Sequence, residues 1–480
     1  MLCSELIGSD WLNEHDDIEI TGIAYDSRNV ADGNIFVCIK GFETDGHKYA
    51  KKAEESGAAL IVAEDKIDVN VPVWYVDNSR RALASLSATF YGDPSKKFKL
   101  IGVTGTNGKT TITYLIKSIL ETAGKSVGII GTNQNIIGDK VLVTKSTTPT
   151  TPNSLELQQL FAEMVEGGAE YVVMEVSSHA LALDRVYGCH FDVGIFTNLT
   201  RDHLDFHGTM ENYLQAKAKL FDISEKGVVN YDDAGGRQIA AEKDCDFITT
   251  GFGENCDVRA SDMKITARGD EFNITYKGQV YPISIQIPGK FSVYNAICAA
   301  GAAIQSGFDM ETIQRGLSAA KGVLGRVEVV PTDTDYTVII DYAHTPDGLE
   351  NIIKSVKEFA RGRVITLFGC GGDRDATKRG IMGEIAGRYS DYSIITSDNP
   401  RTEDPISIVA MIEQGMKESG GEYTVIVDRR KAIGYALDFA QKDDVIILAG
   451  KGQETYQIIG KEKHDFDERV VVWDYLNNKR

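Results

Sequence analysis

The sequence predicts an α/β fold divided into three domains, and three observations lead to that fold class. A chain of 480 residues is too long for one hydrophobic core, because domains average roughly 150 residues. From residue 98 onwards, apolar β-branched runs alternate with helical stretches, which is typical of parallel strands joined by crossover helices. Near residues 257–288 the helices give way to alternating polar and apolar segments, which indicate hairpins.

Each predicted domain has its own pattern. Residues 1–97 mix strands such as NIFVCIKG with helices such as RRALASLSATFY, and predict a small α/β domain. Residues 98–325 predict a central, mostly parallel, doubly wound domain with extra β-hairpins. Residues 326–480 predict a second doubly wound, Rossmann-like α/β domain. Ligands of such sheets bind at the carboxyl ends of strands, so we expect functional residues in the loops that follow strands.

Composition and charge exclude several classes of function. With 70 acidic and 51 basic residues, the formal net charge is −19, which opposes sequence-independent binding to nucleic acid. The seven cysteines are scattered and never spaced as CxxC, so neither a disulfide framework nor a thiolate metal site is expected. No run of about 18 apolar residues and no export signal occurs. We therefore expect a cytoplasmic protein without a membrane span.

The strongest single motif is KLIGVTGTNGKTT, in which a predicted strand leads through a loop into a helix. The loop consists of Gly105, Thr106, Asn107, Gly108, Lys109, Thr110 and Thr111. Backbone N–H groups and the helix N-terminus can surround a phosphate there, Lys109 can reach the outer phosphates, and Thr110 can hold Mg²⁺. The spacing departs from the strict GxxxxGK[ST] pattern, because Val103 replaces the first glycine. A purely structural glycine turn is the alternative.

Polar residues also follow two neighbouring predicted strands. Glu175 ends the apolar strand YVVME, and FTNLTRDHLDFHG then supplies Asn198, Asp202, His203, Asp205 and His207. Carboxylate and imidazole ligands beside the phosphates of ATP suit a divalent cation. Alternatively, Glu175 caps a nearby turn and each histidine makes a structural hydrogen bond.

Lys217 occupies an unusual place on the predicted helix MENYLQAKAKLF. The three- and four-residue spacing puts Lys217 on or beside the apolar face, whereas Lys219 points away. Such a lysine usually extends to solvent. A buried lysine with a lowered pKa is instead a nucleophile, and with CO₂ it forms a carbamate that resembles a carboxylate ligand.

Candidate ligand-binding residues continue towards the C-terminus. Asn295 lies near the start of a helix, Arg326 lies where the second and third domains join, and Asp341 ends the strand of VIIDYAHTPDGLEN. A strand-end aspartate commonly binds ribose hydroxyls, but it can equally be a helix cap.

The segment ITSDNPRTEDP, residues 395–405, crosses from a strand to a helix. It contains Asp398, Asn399, Pro400 and Arg401. On charge spacing alone, Arg401 would pair at the surface with Glu403 or Asp404.

Taken together, these motifs resemble the Mur ligases of peptidoglycan precursor synthesis nearly end to end. The motifs shared in order are GTNGKTT, EVSSHAL, TNLTRDHLDFHG, YLQAK, NAICAA, GRVE and DYAHTPD. The DSR-containing N-terminal region, GCGGDRD, DNPR and GKGQE resemble the branch that adds the third peptide residue. The resemblance implies an ATP-dependent ligase in which the terminal carboxylate of UDP-MurNAc-L-Ala-D-Glu attacks ATP, and an amino group then displaces phosphate from the acyl phosphate.

The resemblance also assigns roles to residues. Lys109 and Thr110 would hold phosphate and Mg²⁺, Glu175 and His203 would bind Mg²⁺, and carbamylated Lys217 would complete the metal site. Asn295, Arg326 and Asp341 would face adenine, phosphates and ribose. The implied contacts to the UDP-sugar peptide, which make residues 1–97 a UDP-binding domain, are Ser27, Phe42, Glu43, Thr44, Thr147, Thr148, Ser177 and Arg185. Leu183 departs from the glutamine of some members.

In the resembling branch, DNPR marks enzymes that add meso-diaminopimelate. This amino acid is lysine with a second carboxylate, which Arg401 can bind through two N–H bonds. Lysine would leave the guanidinium unpaired, at a cost of ~1–3 kcal/mol. Arg374, Gly450 and Glu454 match the remaining contacts of the family, and Glu454 suits the distal ammonium.

Three alternatives stay open at this point. A ligase of the same architecture could add L-lysine, and folylpolyglutamate synthase shares the phosphate loop, although it is not expected to carry DSR and DNPR together. A nucleotide-binding regulatory module without transfer activity is the alternative from another class. We expect a monomer that binds only small-molecule substrates.

Overall fold

The structure, a computed structural model, describes residues 1–8, 16–42, 44–138, 140–143, 148, 150–266 and 269–478. The chain forms two compact units, Met1–Cys256 with Cys298–Asp309, and Asp257–Ile297 with Met310–Arg480. Two residues expected to contact the UDP-sugar peptide, Glu43 and Thr147, lie outside the described residues. In the described part of the chain, no helix combines the length and the apolar character needed to cross a membrane.

The first unit begins with a small parallel sheet. Its elements are α1 Cys3–Ile7, β1 Gly22–Ala24, β2 Asn34–Val37, α2 Ala50–Glu55, β3 Leu60–Ala63, β4 Val73–Tyr75 and α3 Ser79–Phe90. The strands pair in the order β1-β2-β3-β4, all parallel. Strands β2 and β3 are buried along their whole length, as expected for a parallel sheet covered on both faces. The small α/β architecture predicted for this region is confirmed.

A larger, mostly parallel sheet follows in the same unit. Its elements are β5 Lys99–Thr104, α4 Lys109–Thr122, β6 Val127–Ile130, β7 Asn135–Ile137, β8 Lys140–Leu142, α5 Ser154–Glu166, β9 Tyr171–Glu175, α6 Ser178–Ala182, β10 Phe191–Phe196, α7 Leu204–His207, α8 Met210–Ala218, β11 Ser224–Asn230, α9 Ala234–Glu242 and β12 Asp246–Gly251. Within this unit the strand order is β12-β11-β10-β5-β9-β6-β7-β8. Only the short strands β7 and β8 run antiparallel to their neighbours.

Strand β5 lies between β9 and β10 in this sheet. Val103 of β5 is in register with Glu175 of β9, and Thr104 of β5 is in register with Phe196 of β10. Parallel neighbours end at the same edge of a sheet. The loops that follow β5, β9 and β10 therefore begin side by side, and these loops carry the predicted phosphate and metal residues.

The second unit starts with three antiparallel strands, which confirms the hairpins expected near residues 257–288. They are β13 Val258–Thr266, β14 Gly269–Tyr276 and β15 Gln279–Ile285. Two helices follow along the chain, α10 Lys290–Gln305 and α11 Met310–Ala319, and the residues of α10 from Cys298 onwards belong to the first unit.

A second doubly wound sheet completes the second unit. Its elements are β16 Glu328–Val330, β17 Thr337–Asp341, α12 Pro346–Lys357, β18 Val364–Phe368, α13 Lys378–Tyr389, β19 Tyr392–Ile395, α14 Pro405–Ser419, β20 Tyr423–Val425, α15 Arg429–Phe439, β21 Val445–Ala449, β22 Tyr456–Ile459, β23 Glu462–Asp465 and α16 Glu468–Asn477. The strand order is β16-β17-β21-β18-β19-β20, and only β16 is antiparallel. Strands β17, β18 and β21 are fully buried, as expected for the predicted Rossmann-like architecture.

Helices α13 and α14 pack with their backbones in close approach. A Cβ atom added at Gly415 of α14 would lie 1.8 Å from the carbonyl oxygen of Gly380 in α13. One added at Gly383 of α13 would lie 2.1 Å from the carbonyl oxygen of Ile412. Any side chain at these two positions would separate the helices. This packing fixes α14, which begins at Pro405, four residues after Arg401 of the DNPR segment.

Candidate active site

The predicted phosphate loop connects β5 to α4, as the motif indicated. Lys109 is the first residue of α4, and its Nζ donates to the carbonyl oxygens of Gly105 at 3.0 Å and Thr106 at 2.9 Å. Gly105 has a φ of +148°, and a Cβ there would lie 1.8 Å from Thr197 Oγ1. Thr197 Oγ1 in turn donates to the carbonyl oxygen of Asn107 at 2.6 Å. Thr197, the residue after β10, therefore holds the phosphate loop against the edge of the sheet.

Glu175 lies at the end of β9, 1% exposed. Its Oε1 accepts hydrogen bonds from the hydroxyl of Thr110 and the backbone N–H of Thr132, both at 2.9 Å. Its Oε2 accepts from the hydroxyl of Thr132 at 3.1 Å. By accepting the Thr132 backbone N–H, Glu175 caps the turn after β6, as the alternative interpretation of the sequence proposed. All three donors are uncharged, so no positive charge neutralises the buried Glu175 carboxylate through these bonds. Such a carboxylate beside the threonine of the phosphate loop is suited to bind a cation.

Lys217 is 1% exposed, whereas Lys219 is exposed, so the predicted orientation of the helix is confirmed. The Nζ atom of Lys217 lies 4.3 Å from the ring centroid of Tyr213. Burial lowers the pKa of Lys217 well below its usual value, and the positive charge of Lys109 lowers that pKa further. The alternative that Lys217 extends to solvent is wrong. A neutral amine is the form of lysine that reacts with CO₂.

The histidines near α7 divide into two kinds. His203 precedes α7, its side chain is 47% exposed, and its ring centroid lies 4.9 Å from that of His179. His207 is buried, with Nε2 at 2.9 Å from the hydroxyl oxygen of Ser178. Burial lowers the pKa of His207 to about 4. His207 therefore makes the structural hydrogen bond offered as the alternative. The Nε2 atom of the half-exposed His203 lies 3.5 Å from Asp202 Oδ2, and its role as a metal ligand stays a prediction.

Tyr213 links these groups, and the motifs did not single it out. Its ring contacts Lys217 and lies 6.1 Å from the ring of His203. Its hydroxyl lies 3.3 Å from Thr106 Oγ1 in the phosphate loop. Tyr213 precedes Lys217 by four residues on α8, a spacing that places both side chains on one face and could have revealed it. Thr132 was also missed, although it too follows a strand of this sheet.

Three residues expected to bind the UDP-sugar peptide converge on Thr151. The hydroxyl of Thr148 and Nη1 of Arg185 donate to the carbonyl oxygen of Thr151, at 3.2 and 3.0 Å. Ser177 caps α6 and accepts a hydrogen bond from Thr151 Oγ1 at 3.3 Å. Burial lowers the pKa of Arg185. Leu183, the position that departs from some family members, directly follows α6 as its C-cap.

Three further residues expected to bind the UDP-sugar peptide come from the N-terminal region. Ser27 is buried, while Phe42 is 76% exposed with its ring centroid 5.7 Å from that of Phe206. The hydroxyl oxygens of Thr44 and Tyr49 lie 3.2 Å apart. Phe42 thus reaches the same α7 segment that follows His203.

Asp341 ends β17 and is not a helix cap. Its carboxylate accepts the backbone N–H of Val327 at 2.8 Å and of Ala343 at 2.9 Å. Burial raises the pKa of Asp341. The N-terminus of α12 is capped instead by Thr345. The helix-cap alternative is therefore wrong, and the binding of ribose by Asp341 stays a prediction.

The two other predicted nucleotide residues are also in the second unit. Asn295 is buried within α10, five residues after its first residue, Lys290. The guanidinium carbon of Arg326 lies 5.1 Å from the ring centroid of Tyr342, a cation–π contact directly after Asp341. Arg326 and Asp341 therefore lie at one end of the C-terminal sheet.

Arg401 does not make the surface pair that charge spacing suggested. Glu403 accepts two hydrogen bonds from Arg379, at 2.8 and 2.9 Å, and Asp404 caps α14. The Nη1 atom of Arg401 donates to the carbonyl oxygen of Gly372 at 2.8 Å. With a φ of +52°, the Arg401 backbone occupies a conformation that costs free energy for any residue except glycine. The neighbouring acids are thus already bonded elsewhere.

Asn399 and Glu454 contact each other across two loops of the C-terminal sheet. The Asn399 Nδ2 atom donates to Glu454 Oε2 at 2.9 Å. Asn399 Oδ1 accepts the backbone N–H of Ile458 at 2.9 Å. A buried lysine that the motifs did not single out, Lys451, bonds to both side chains. The pair expected to bind the amino acid is therefore already held in place.

The remaining residues of the predicted amino-acid site surround this pair. Asp398 accepts the backbone N–H of Asn399 at 2.7 Å, and Pro400 follows it in the same loop. Arg374 is exposed, and its Nη1 donates to the carbonyl oxygen of Asp373 at 3.2 Å. Gly450 directly follows β21. All lie in loops after strands β18, β19 and β21, as the doubly wound sheet predicted.

Three family profiles match successive parts of the chain. The Mur ligase family, catalytic domain, matches residues 19–91. The Mur ligase middle domain matches residues 103–303, and the Mur ligase, glutamate ligase domain, matches residues 325–452.

Named relatives and a solved structure match along nearly the whole chain. UDP-N-acetylmuramoyl-L-alanyl-D-glutamate–2,6-diaminopimelate ligase 1 of Clostridium acetobutylicum is 49% identical over 464 residues, 96% of this chain and 95% of the relative. The corresponding ligase of Bacillus cereus is 47% identical over 470 residues, with 96% and 95% covered. A solved UDP-N-acetylmuramoyl-L-alanyl-D-glutamate–2,6-diaminopimelate ligase is 32% identical with a TM-score of 0.74, covering 100% of this chain and 99% of the other. The resemblance predicted from the motifs is confirmed, and the chain belongs to the Mur ligase family.

Proposed function

We propose that this chain is an ATP-dependent ligase that adds meso-2,6-diaminopimelate to UDP-N-acetylmuramoyl-L-alanyl-D-glutamate, in the cytoplasm and as a monomer. The choice of diaminopimelate as the added amino acid rests on the surroundings of Arg401. Its acidic neighbours are bonded to other groups, and Asn399 and Glu454 are held in the adjoining loops. The relatives that match nearly the full chain are named for this activity.

The phosphate loop supports the use of ATP. Lys109 would exchange its bonds to the loop carbonyls for bonds to the outer phosphates, and the N-terminus of α4 would add its partial positive charge. Asn295, Arg326 and Asp341 would hold the adenine, phosphates and ribose. Bound phosphates and a positive charge would favour phosphoryl transfer by position and charge neutralisation, while the terminal carboxylate of the dipeptide attacks the γ-phosphate.

Four residues of the first unit fit a Mg²⁺ site. Thr110, Glu175, His203 and carbamylated Lys217 would be its ligands, and the ion would neutralise charge on the phosphate oxygens. The buried carboxylate of Glu175, bonded to Thr110, and the lowered pKa of the buried Lys217 amine are the features that fit. Ser27, Phe42, Glu43, Thr44, Thr147, Thr148, Ser177 and Arg185 would bind the UDP-sugar peptide.

The amino-acid site would recognise both groups at the distal end of diaminopimelate. Arg401 would donate two N–H bonds to the distal carboxylate, and Glu454 would accept from the distal ammonium. Asp398, Asn399, Pro400, Arg374 and Gly450 would complete the pocket. Lysine would leave the guanidinium without a carboxylate, which costs ~1–3 kcal/mol.

The domain boundaries 1–97, 98–325 and 326–480 are also proposed. The three family profiles support them, because each profile falls within one of these ranges except at residue 325.

A panel of labelled amino acids tests the proposed function. Purified protein receives ATP, Mg²⁺, UDP-MurNAc-L-Ala-D-Glu and either meso-diaminopimelate or L-lysine, and ADP release and labelled product are measured. We expect ADP release only with dipeptide present and faster incorporation of diaminopimelate. Faster incorporation of lysine would assign the alternative ligase. ATP binding without dipeptide-dependent ADP release would indicate a nucleotide-binding module.

A further inference from the structure

Lys451 is a fully buried lysine in the loop after β21, with 0% of its side chain exposed. Its Nζ atom donates to Asn399 Oδ1 at 3.1 Å and to Glu454 Oε2 at 3.0 Å. Burying an ammonium is costly unless it is paired and hydrogen-bonded. Lys451 meets both conditions, and the two side chains that satisfy it belong to the proposed amino-acid site.

Lys451, Asn399 and Glu454 form a closed ring of hydrogen bonds. The Asn399 amide donates to the same Glu454 oxygen that Lys451 contacts, at 2.9 Å. Its carbonyl oxygen accepts from Lys451 and from the backbone of Ile458. Each polar atom in the ring thus meets a partner of the opposite kind, and the Asn399 amide cannot reverse without losing these bonds.

The ring also sets the charge of the pocket. The Glu454 side chain is 19% exposed and so remains accessible to a ligand, but Lys451 already balances its negative charge. Arg401 adds a further positive charge from the neighbouring loop. At Glu454, a ligand end group carrying only an ammonium would meet a carboxylate that Lys451 already pairs, beside the positive charge of Arg401. An end group carrying both an ammonium and a carboxylate would bring its own partner for the cations.

We propose that Lys451 is a positioning residue that makes this pocket select a zwitterionic end group over a bare ammonium. The inference rests on the proposed function, because it assigns a second determinant of diaminopimelate selection beside Arg401. Arg401 attracts the second carboxylate, whereas Lys451 disfavours the competitor that lacks it. Specificity commonly combines an attractive contact for one ligand with a repulsive contact against another.

The test compares both amino acids in Lys451→Met and Lys451→Arg variants. In Lys451→Met, Glu454 has no balancing charge and is free to pair with a bare ammonium. We expect the ratio of kcat/KM for diaminopimelate to that for lysine to fall at least tenfold, with the KM for ATP unchanged. Lysine is also measured as a competitive inhibitor against diaminopimelate, so that weak turnover still gives a value. Lys451→Arg keeps the charge and should keep most of the selectivity.

Lys463 provides a matched control. It is an exposed lysine on β23, with its Nζ 4.1 Å from the ring centroid of Tyr456, and the Lys451 Nζ lies 5.9 Å from the same ring. Lys463→Met should leave the ratio unchanged. A merely structural Lys451 would lower the rates with both amino acids equally, and an unchanged ratio in Lys451→Met overturns the proposal.

A second measurement keeps the proposal testable if Lys451→Met does not fold. Glu454→Gln removes the charge that Lys451 balances, so Lys451→Met introduced into Glu454→Gln should change the ratio little. A further tenfold change in that background would overturn the inference. Failure of the proposed function looks different, because wild-type protein would then prefer lysine. If the wild type prefers diaminopimelate but the variants keep the same ratio, the proposed function stands and only the selective role of Lys451 is overturned.

Discussion

At the scale of single residues, Lys217 shows how burial changes chemistry. Its neighbour two positions along, Lys219, has the same side chain but is exposed. Desolvation disfavours a charged ammonium, so burial lowers the pKa of Lys217 well below its usual value and favours the neutral amine. The contact with Tyr213 then aligns the amine beside the phosphate loop.

Replacing Lys217 by alanine should therefore lower kcat by roughly a hundredfold or more, the cost typical of losing one charge-stabilising group. A short carboxylic acid such as formate should restore part of the activity, because it can occupy the place of the carbamate. The carbamate itself should give a ¹³C NMR signal when wild-type protein is supplied with ¹³C-bicarbonate. Lys219→Ala is the control and should keep wild-type activity. Wild-type turnover in Lys217→Ala, or an identical signal from it, would contradict the carbamate role.

At the scale of elements, α13 and α14 depend on glycine at their contact. The backbone of Gly415 meets that of Gly380, so a methyl group at residue 415 has no space. A methyl group at residue 380 would instead lie 3.8 Å from the carbonyl oxygen of Met411, an ordinary contact. The two glycines face each other, but only one position is closed to a side chain.

We expect Gly415→Ala to lower the free energy of unfolding by about 1–3 kcal/mol, the usual cost of overpacking. It should also raise the KM for diaminopimelate, because a displaced α14 moves the DNPR loop that precedes it. Gly380→Ala should leave stability unchanged or raise it by about 0.5–1 kcal/mol, since alanine favours a helix. Chemical denaturation of both variants measures the difference. Equal stability of the two variants would show that the helices separate at no cost.

The same helices mark what the sequence could and could not predict. Long apolar strands such as β5, β9 and β21, and the polar residues at their ends, were predicted because burial on both faces leaves a continuous apolar run. Helix α13 was not predicted, because glycines at residues 380, 383 and 387 replace the large apolar side chains that define a helical face. The hairpin β7–β8 was missed because strands of three residues show too little alternation.

For the candidate site, the sequence identified residues by their place after a strand, but not by their partners. Lys451 lies in the recognised GKGQE segment, yet its bonds to Asn399 join positions 52 residues apart. Tyr213 reaches Thr106 over a separation of 107 residues. Such contacts depend on the order of strands within a sheet, which local patterns do not determine.

At the scale of the whole molecule, the two compact units carry different parts of the proposed chemistry. The phosphate loop, Glu175 and Lys217 belong to the first unit, and the DNPR loop and Glu454 belong to the second. Ligands that bind these groups should therefore protect different segments of the chain from hydrogen exchange.

Hydrogen exchange measured by mass spectrometry should locate those segments. Diaminopimelate should slow exchange in residues 398–401 and 450–458 of the second unit, and lysine at the same concentration should do so less. UDP-MurNAc-L-Ala-D-Glu should slow exchange around residues 177–185 of the first unit. Protection of residues 177–185 but not 398–401 by diaminopimelate would place the amino acid elsewhere.

The backbone hydrogen bonds of Arg401 affect how chimaeric ligases should be built. Its N–H donates to the carbonyl oxygen of Ile458 at 3.1 Å, and its carbonyl oxygen accepts the N–H of Gly460 at 2.8 Å. The tetrapeptide is therefore joined through its backbone to the hairpin β22–β23. Exchanging DNPR alone between ligases would move the side chains without the backbone that holds Arg401 at its left-handed φ. The portable piece is the tetrapeptide together with residues 456–465, two segments far apart in the gene that must be exchanged as one.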